Sequence, residues 1–315
     1  MPLPVILQTE HLDPEPAAWL AERSMLVVCA LNDPSLPDAL TRDDGLIVRT
    51  YTQVDSKLLA AMPLLKVVGR AGVGLDNIDV PACRQRGIEV VYTPDANTQA
   101  VVEYVLALMC DVLRPRLALD VALSTLDWNR LRAETVGRRQ LNELTLGILG
   151  LGRVGKGVAR VASALGCRVI YNDLVEIDPS QRFGADPVSV DDLFATADIV
   201  SLHIDGRSSN RGFVNDRLLE RLKPDAVLIN TCRGFVVDNL SLAAAFRDRP
   251  KASACLDVHE PEPFDVDYPL LGLPNVRLYP HLASRTATAM RNMSWVVRDV
   301  WAVLQGTTPR YPAPQ

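Results

Sequence analysis

Apolar residues along this chain come in short unbroken runs, not in alternation with polar ones. Early runs are Val5–Leu7, Met25–Leu31, Gly45–Val48, Leu65–Val68 and Ile88–Tyr92. Later ones are Leu146–Leu149, Val169–Tyr171, Ile199–Leu202, Ala226–Ile229, Ala252–Leu256 and Val276–Tyr279. Successive Val, Ile and Leu mark strands covered on both faces, as in a parallel sheet. The intervals leave room for crossover helices, which predicts an α/β chain. The strands form one group before about residue 98 and another after about residue 145. Between them Thr98–Arg114 reads as a helix ended by Pro115, carrying the chain from one domain to the next. The segment Ala118–Asn142 has weak strand character. The last helix, Ser284–Gln305, is expected to return to the first domain, and the Pro-rich tail Pro309–Gln315 to be loose. No internal repeat or low-complexity tract stands out.

A length of 315 residues suits two domains. A net charge of -5 gives no electrostatic reason to bind nucleic acid or an anionic membrane. Six cysteines lie apart, at 29, 83, 110, 167, 232 and 255. None makes a C-x-x-C pair, so neither a metal site nor a disulfide framework is expected. Most sit in apolar runs as small core residues, and a reducing cytoplasm is the expected compartment. Met1–Glu10 lacks the pattern of a signal peptide. The longest apolar segment, Val101–Leu113, is interrupted by Glu103 and Asp111 and is too short to span a bilayer.

The run Leu146–Leu149 leads directly into Gly150-Leu151-Gly152-Arg153-Val154-Gly155, and Lys156–Leu165 then reads as a helix. A strand follows, Arg168–Asn172, and Asp173 ends it. A strand–G-x-G-x-x-G–helix–strand–acid sequence is the dinucleotide fingerprint. Gly150 permits a tight turn, Gly152 admits the pyrophosphate against the backbone, and Gly155 lets helix and strand pack closely. Arg153 and Val154 open a helix whose free N–H groups suit phosphate. Asp173 would accept from the ribose hydroxyls and repel a 2′-phosphate, so NAD is expected over NADP.

Further motifs are Gly69-Arg70-Ala71-Gly72-Val73-Gly74-Leu75-Asp76-Asn77-Ile78-Asp79, Asn230-Thr231-Cys232-Arg233-Gly234, Leu256-Asp257-Val258-His259-Glu260-Pro261-Glu262-Pro263 and Pro280-His281-Leu282-Ala283. With the fingerprint, and in this order over nearly the whole chain, they resemble the D-isomer-specific 2-hydroxyacid dehydrogenases, in particular the phosphoglycerate dehydrogenase-like group. The resemblance implies two Rossmann-like doubly wound domains: a flavodoxin-like substrate domain of residues 1–98 and 284–315, and an NAD-binding domain of residues 99–283, with a cleft between them. It makes Arg233, Glu262 and His281 the catalytic Arg, Glu and His. It puts Thr231, Asp257 and Ala283 beside the cofactor and a homodimer interface near Ala118–Asn142. The chemistry agrees: an imidazole takes the hydroxyl proton, a carboxylate orients it, and a guanidinium grips the substrate carboxylate and C2 oxygen.

Other readings of these residues stay open. Glu260 rivals Glu262, which is chosen because the family places its Glu five residues after the Asp. His11 is expected to be exposed, His203 to line the cofactor cleft, and His259 to pack where the family usually has an aromatic. Asp257 could simply cap a turn, and Cys232 reads as a small filler. Gly72, Val73 and Gly74 would present N–H groups to the substrate carboxylate. Arg49 and Arg70 could face the cleft and hold a phosphate, or be solvated charges. Asp205, Ser208-Ser209-Asn210, Glu143-Leu144 and Ala283-Ser284 depart from the family pattern. The expected substrate is 3-phosphoglycerate, or hydroxypyruvate or glyoxylate. The alternatives are a dinucleotide-sensing, corepressor-like binding protein and phosphite oxidation on the same scaffold; Glu262 disfavours formate oxidation, where Gln is usual. No appended regulatory domain is expected.

Overall fold

The computed structural model describes residues 3–30, 33–34, 40–114, 116–137 and 139–314. Pro115, expected to end a helix, and Leu31 of the second apolar run lie outside the described residues. The chain divides into two compact units, Met1–Asn97 with Ser284–Gln315, and Thr98–Ala283.

The first unit begins with β1 (Val5–Gln8), β2 (Met25–Val28), β3 (Gly45–Val48), β4 (Val67–Arg70) and β5 (Glu89–Tyr92). Each strand pairs in parallel with its neighbours, in the order β2-β1-β3-β4-β5. This is the flavodoxin-like order. The helices α1 (Pro14–Ala21), α2 (Ser56–Ala61) and α3 (Val80–Gln85) each start at an Asp. The carboxylates of Asp13, Asp55 and Asp79 accept a main-chain N–H of the first turn, which satisfies a donor the helix cannot.

The second unit has α4 (Thr98–Leu113), α5 (Thr125–Glu134), β6 (Thr145–Leu149), α6 (Arg153–Ala164), β7 (Arg168–Asn172), β8 (Asp186–Pro187), α7 (Val190–Thr196), β9 (Ile199–Leu202), α8 (Asp216–Leu219), β10 (Val227–Asn230), α9 (Asn239–Arg247), β11 (Ser253–Leu256) and β12 (Val276–Leu278). All seven strands are parallel, in the order β12-β11-β10-β9-β6-β7-β8. The order reverses at β6, which lies between β7 and β9. A ligand crevice opens beyond the strand ends at such a switch point. One face is covered by Val101, Val105, Val158 and Ala162, the other by Phe194, Leu218 and Phe246. The continuous apolar runs at β6, β9 and β10 are thus strands buried on both sides, whereas β12 is only partly covered and β2 leaves Met25 and Val28 exposed.

The chain re-enters the first unit through α10 (Ala287–Ser294) and α11 (Val297–Leu304). The single helix expected over Ser284–Gln305 is therefore two. The Ser294 hydroxyl donates to the Met290 carbonyl at 2.8 Å and accepts the Asp13 N–H at 2.9 Å. Back-bonding of this kind bends a helix, and bonds three residues apart then tighten the joint. Val296, Val297 and Val300 pack on Ile6, Ile47, Val67 and Val91. The tail is not loose as expected. Tyr92 N–H donates to the Tyr311 carbonyl at 3.1 Å and Ala313 N–H to the Val90 carbonyl at 2.7 Å, so the tail lies antiparallel along the β5 edge. Ala313 is buried in the same core cluster as Val90, and Pro312 pairs with Val91, which holds the tail down.

Among the described residues no helix is long and apolar enough to cross a membrane, and no His, Cys, Asp and Glu cluster could hold a metal. All six cysteines are free. Burial pushes the thiols of Cys83, Cys232 and Cys255 up to about 11, which makes them inert packing groups.

Candidate active site

Glu262 and His281 come together in the second unit. His281 Nδ1 lies 2.8 Å from Glu262 Oε2, and both side chains remain partly exposed. The other oxygen of Glu262 accepts the His259 N–H at 2.7 Å. Burial alone would raise the Glu262 carboxyl. The hydrogen bond and charge of His281, with the His259 N–H, outweigh it and hold the carboxyl below its ordinary value. Glu260 instead faces Arg211 at 3.6 Å on an exposed edge.

His281 has a φ of 55°, in the left-handed region that side chains rarely adopt. Its neighbours hold it there. Asp257, fully buried beyond the end of β11, accepts the Leu282 N–H at 2.8 Å and the Ala283 N–H at 2.7 Å. Burial keeps the Asp257 carboxyl above its ordinary value despite these bonds, the charge of His281 and a hydrogen bond with Tyr104. Both oxygens of Asp257 therefore serve the distant turn that presents His281, rather than capping the turn that follows Asp257 itself. Tyr104 was missed there, because nothing in an apolar helix marks the one hydroxyl that reaches a strand end.

Arg233 follows β10. The Asn230 side-chain amide donates to the Arg233 carbonyl at 2.9 Å, and Arg233 Nη1 donates to the Cys232 carbonyl at 2.6 Å. The next residue, Gly234, touches the His259 backbone so closely that a Cβ there would fall 2.0 Å from the His259 carbonyl carbon. This contact sets the Arg233 segment against the loop that carries Glu262. Asp205, at the place of a family proline, is balanced by Arg207, whose Nε donates to Oδ1 at 2.7 Å. That hydrogen bond foremost, and the charge of Arg233 among lesser causes, hold the Asp205 carboxyl below its ordinary value. His203 is half-buried beside Ser201 at 2.8 Å, and desolvation pushes its imidazole down to about 4. His11 is exposed.

The glycine fingerprint has the form a dinucleotide needs. Gly150 turns at a φ of 93°, beyond β6. A Cβ on Gly155 would lie 2.2 Å from the Gly150 carbonyl oxygen, whereas one on Gly152 would meet nothing within 4 Å. Gly152 starts α6 with no side-chain cap, and a helix N-terminus of this kind is suited to an anionic ligand. Asp173 accepts the Leu151 N–H at 2.6 Å, tying the end of β7 to this turn. Beside it a cavity of about 340 Å³ is lined by Tyr171, Asp173, Val175, Pro187 and Val188. Thr231 Oγ1 is buried and finds no hydrogen-bond partner among the described residues, a hydroxyl suited to a bound group. These residues fit a dinucleotide.

Residues 106–283 match the family model of the D-isomer specific 2-hydroxyacid dehydrogenase, NAD binding domain. The chain belongs to that family. NAD is accordingly the dinucleotide that the fingerprint accepts. The chain is 36% identical over 291 residues to a D-3-phosphoglycerate dehydrogenase of Mycobacterium tuberculosis, covering 92% of this chain and 54% of that one. It thus spans about half the length of such relatives. It is 37% identical over 259 residues to an (S)-sulfolactate dehydrogenase of Chromohalobacter salexigens, covering 81% and 82%. The structure of a D-lactate dehydrogenase from Aquifex aeolicus, complexed with NAD and lactic acid, superposes with a TM-score of 0.82 at 26% identity, covering 96% of each chain.

In the first unit, Gly72 lies beyond β4 at a φ of 155° with the Arg70 guanidinium folded over it; a Cβ there would fall 1.4 Å from Nη1. Arg70 is 8% exposed and donates to the Ala71 carbonyl at 3.1 Å. Val73 and Gly74 are half-buried, and among the described residues their N–H groups meet no acceptor. Arg49 is set by Glu10, whose carboxylate accepts the N–H groups of Arg49, Thr50, Tyr51 and Thr52 at 3.0–3.2 Å. Its guanidinium touches the His11 carbonyl at 3.4 Å and Met290 Sδ at 3.2 Å, and no carboxylate among the described residues pairs with it. Burial, then the nearby charge of Arg285, lower its pKa. Glu10 and Arg285 were missed in the sequence, since only the fold brings them to Arg49.

Proposed function

We propose that this protein is an NAD-dependent dehydrogenase of D-2-hydroxy acids that carry a second anionic group, with Arg233, Glu262 and His281 as its catalytic set. The observation that carries this reading is the Glu262–His281 pair at 2.8 Å, in the unit that holds the dinucleotide fingerprint. With Nδ1 turned to Glu262, His281 Nε2 is the nitrogen that exchanges a proton with the C2 oxygen. Glu262 orients the ring and stabilises its protonated form. Arg233 binds the substrate carboxylate and C2 oxygen, and opposes the negative charge that develops there. Asp173, Thr231 and the Gly150–Gly155 turn would hold the dinucleotide, which when bound would supply or accept the hydride at C2. The N–H groups of Val73 and Gly74 hold the carboxylate.

Arg49 beside Arg285 supports the second anion. Two neighbouring guanidinium groups, with the nearby Glu10 carboxylate engaged by four main-chain N–H groups, favour a phosphate or sulfonate. 3-Phosphoglycerate is the first choice, hydroxypyruvate or glyoxylate the second. The reading also makes the protein a homodimer through Ala118–Asn142. Its support is α5, which buries no residue and leaves Leu126 77% and Trp128 47% exposed.

NADH oxidation with 3-phosphohydroxypyruvate, hydroxypyruvate, glyoxylate and phosphonate or sulfonate analogues tests the reading. Arg49→Ala should lower kcat/KM for the phosphorylated acid by ~10-fold or more and leave hydroxypyruvate nearly unchanged. Equal losses on both would remove the phosphate role and favour the smaller acids. Tight NAD binding without turnover of any acid would favour the binding-protein alternative.

A further inference from the structure

His259 meets the Glu262–His281 pair in two ways at once. We propose that it is a positioning residue for His281; the kinetic part of this inference rests on the reading above. Its main-chain N–H donates to Glu262 Oε1 at 2.7 Å, while Glu262 Oε2 faces His281 Nδ1. Its ring Nε2 lies 2.8 Å from the Tyr279 carbonyl oxygen. A carbonyl only accepts, so this nitrogen carries the hydrogen. In the neutral ring Nδ1 then accepts from the Tyr268 hydroxyl, 3.3 Å away. The same Tyr279 carbonyl receives the His281 N–H at 3.0 Å.

His281 stands in a backbone region that persists only where its surroundings over-determine it. Asp257 fixes the two N–H groups after it, and His259 fixes the carbonyl two residues before it. The ring that does so is 6% exposed and is set edge-on by Phe264 at 4.8 Å and Tyr268 at 5.6 Å. One residue therefore holds the carboxylate through its backbone and the turn of the acid–base histidine through its ring. An aromatic hydrocarbon at 259 would pack as well and leave the turn without its side-chain donor.

Two variants separate positioning from packing. His259→Phe keeps the aromatic packing and the main-chain bond to Glu262 but loses the donor to Tyr279. His259→Gln loses the ring but can present an amide N–H at the same reach. Measured quantities are kcat and KM with NADH and hydroxypyruvate or 3-phosphohydroxypyruvate, the thermal midpoint, and hydrogen exchange of the His281 amide in the full chain. The expected result is a kcat lower by ~10-fold or more in His259→Phe with KM within about twofold. The His281 amide should exchange ~10-fold faster in that variant. His259→Gln should restore both toward wild type, even with a lower thermal midpoint. Phe outperforming or equalling Gln in kcat and exchange would overturn the proposal, as would losses that follow the thermal midpoint in both. If wild type turns over no acid while exchange still separates Phe from Gln, the functional reading fails and the clamp stands. Equal exchange in all three proteins overturns the clamp whatever the activity.

Discussion

Glu262 and Glu260 stand two residues apart in one acidic loop, yet only Glu262 reaches an imidazole. The hydrogen bond and charge that hold the Glu262 carboxyl below its ordinary value run to His281, so Glu262 stays ionised beside the ring until the pH falls through that lowered value. Glu262→Gln removes the charge of this pair, and kcat should fall by about 10²-fold. Glu260→Gln should leave kcat nearly unchanged. A loss in the second variant and none in the first would reassign the carboxylate. At this scale the sequence made legible the geometry that lies within its motifs: the Glu262–His281 pair and the turn of the fingerprint glycines. It was silent where a residue acts across the fold. Glu10 orders a loop about 40 residues later, and His259, which reads as a packing residue, also turns out to be bonded through its ring and its backbone.

At the scale of elements, runs of Val, Ile and Leu reveal a strand well because both faces of a parallel sheet demand them. β8, only Asp186–Pro187 at the sheet edge, lacks such a run and escaped notice. The break between α10 and α11 escaped too, since apolar spacing continues through it and the cause is one Ser294 hydroxyl. Two glycines show how elements serve the site differently. Gly234 brings the β10 end against His259, so Gly234→Ala should cost on the order of 2–4 kcal/mol and lower the thermal midpoint. Gly152 faces open space, so Gly152→Ala should melt like wild type and weaken NAD binding by ~10-fold, as titration of the apo protein would read. A melting loss at Gly152, or unchanged NAD affinity there, would remove the open side of that turn from the cofactor site.

For the whole molecule, α5 offers a test of assembly without a cost to the fold, because none of its residues is buried. Leu126→Glu with Trp128→Glu should convert a dimer into a monomer of 34.5 kDa in sedimentation at micromolar concentration. A wild type that already sediments as a monomer would refute the dimer. The route of the chain has a consequence in time. Thr98–Ala283 are contiguous, and this unit can close as it leaves the ribosome. The first unit cannot, because Val296, Val297 and Val300, which cover Ile6, Ile47, Val67 and Val91, are synthesised after the intervening unit. The partners of the β5 edge, Tyr311 and Ala313, come later still. Translation through the intervening unit takes roughly 10–40 s at cellular elongation rates. For that interval the nascent N-terminal sheet exposes an apolar face and an open strand edge, the surfaces that invite aggregation. The N-terminal sheet is thus finished only after the whole unit behind it, and it waits with that face and edge uncovered until residues 296–313 have been made.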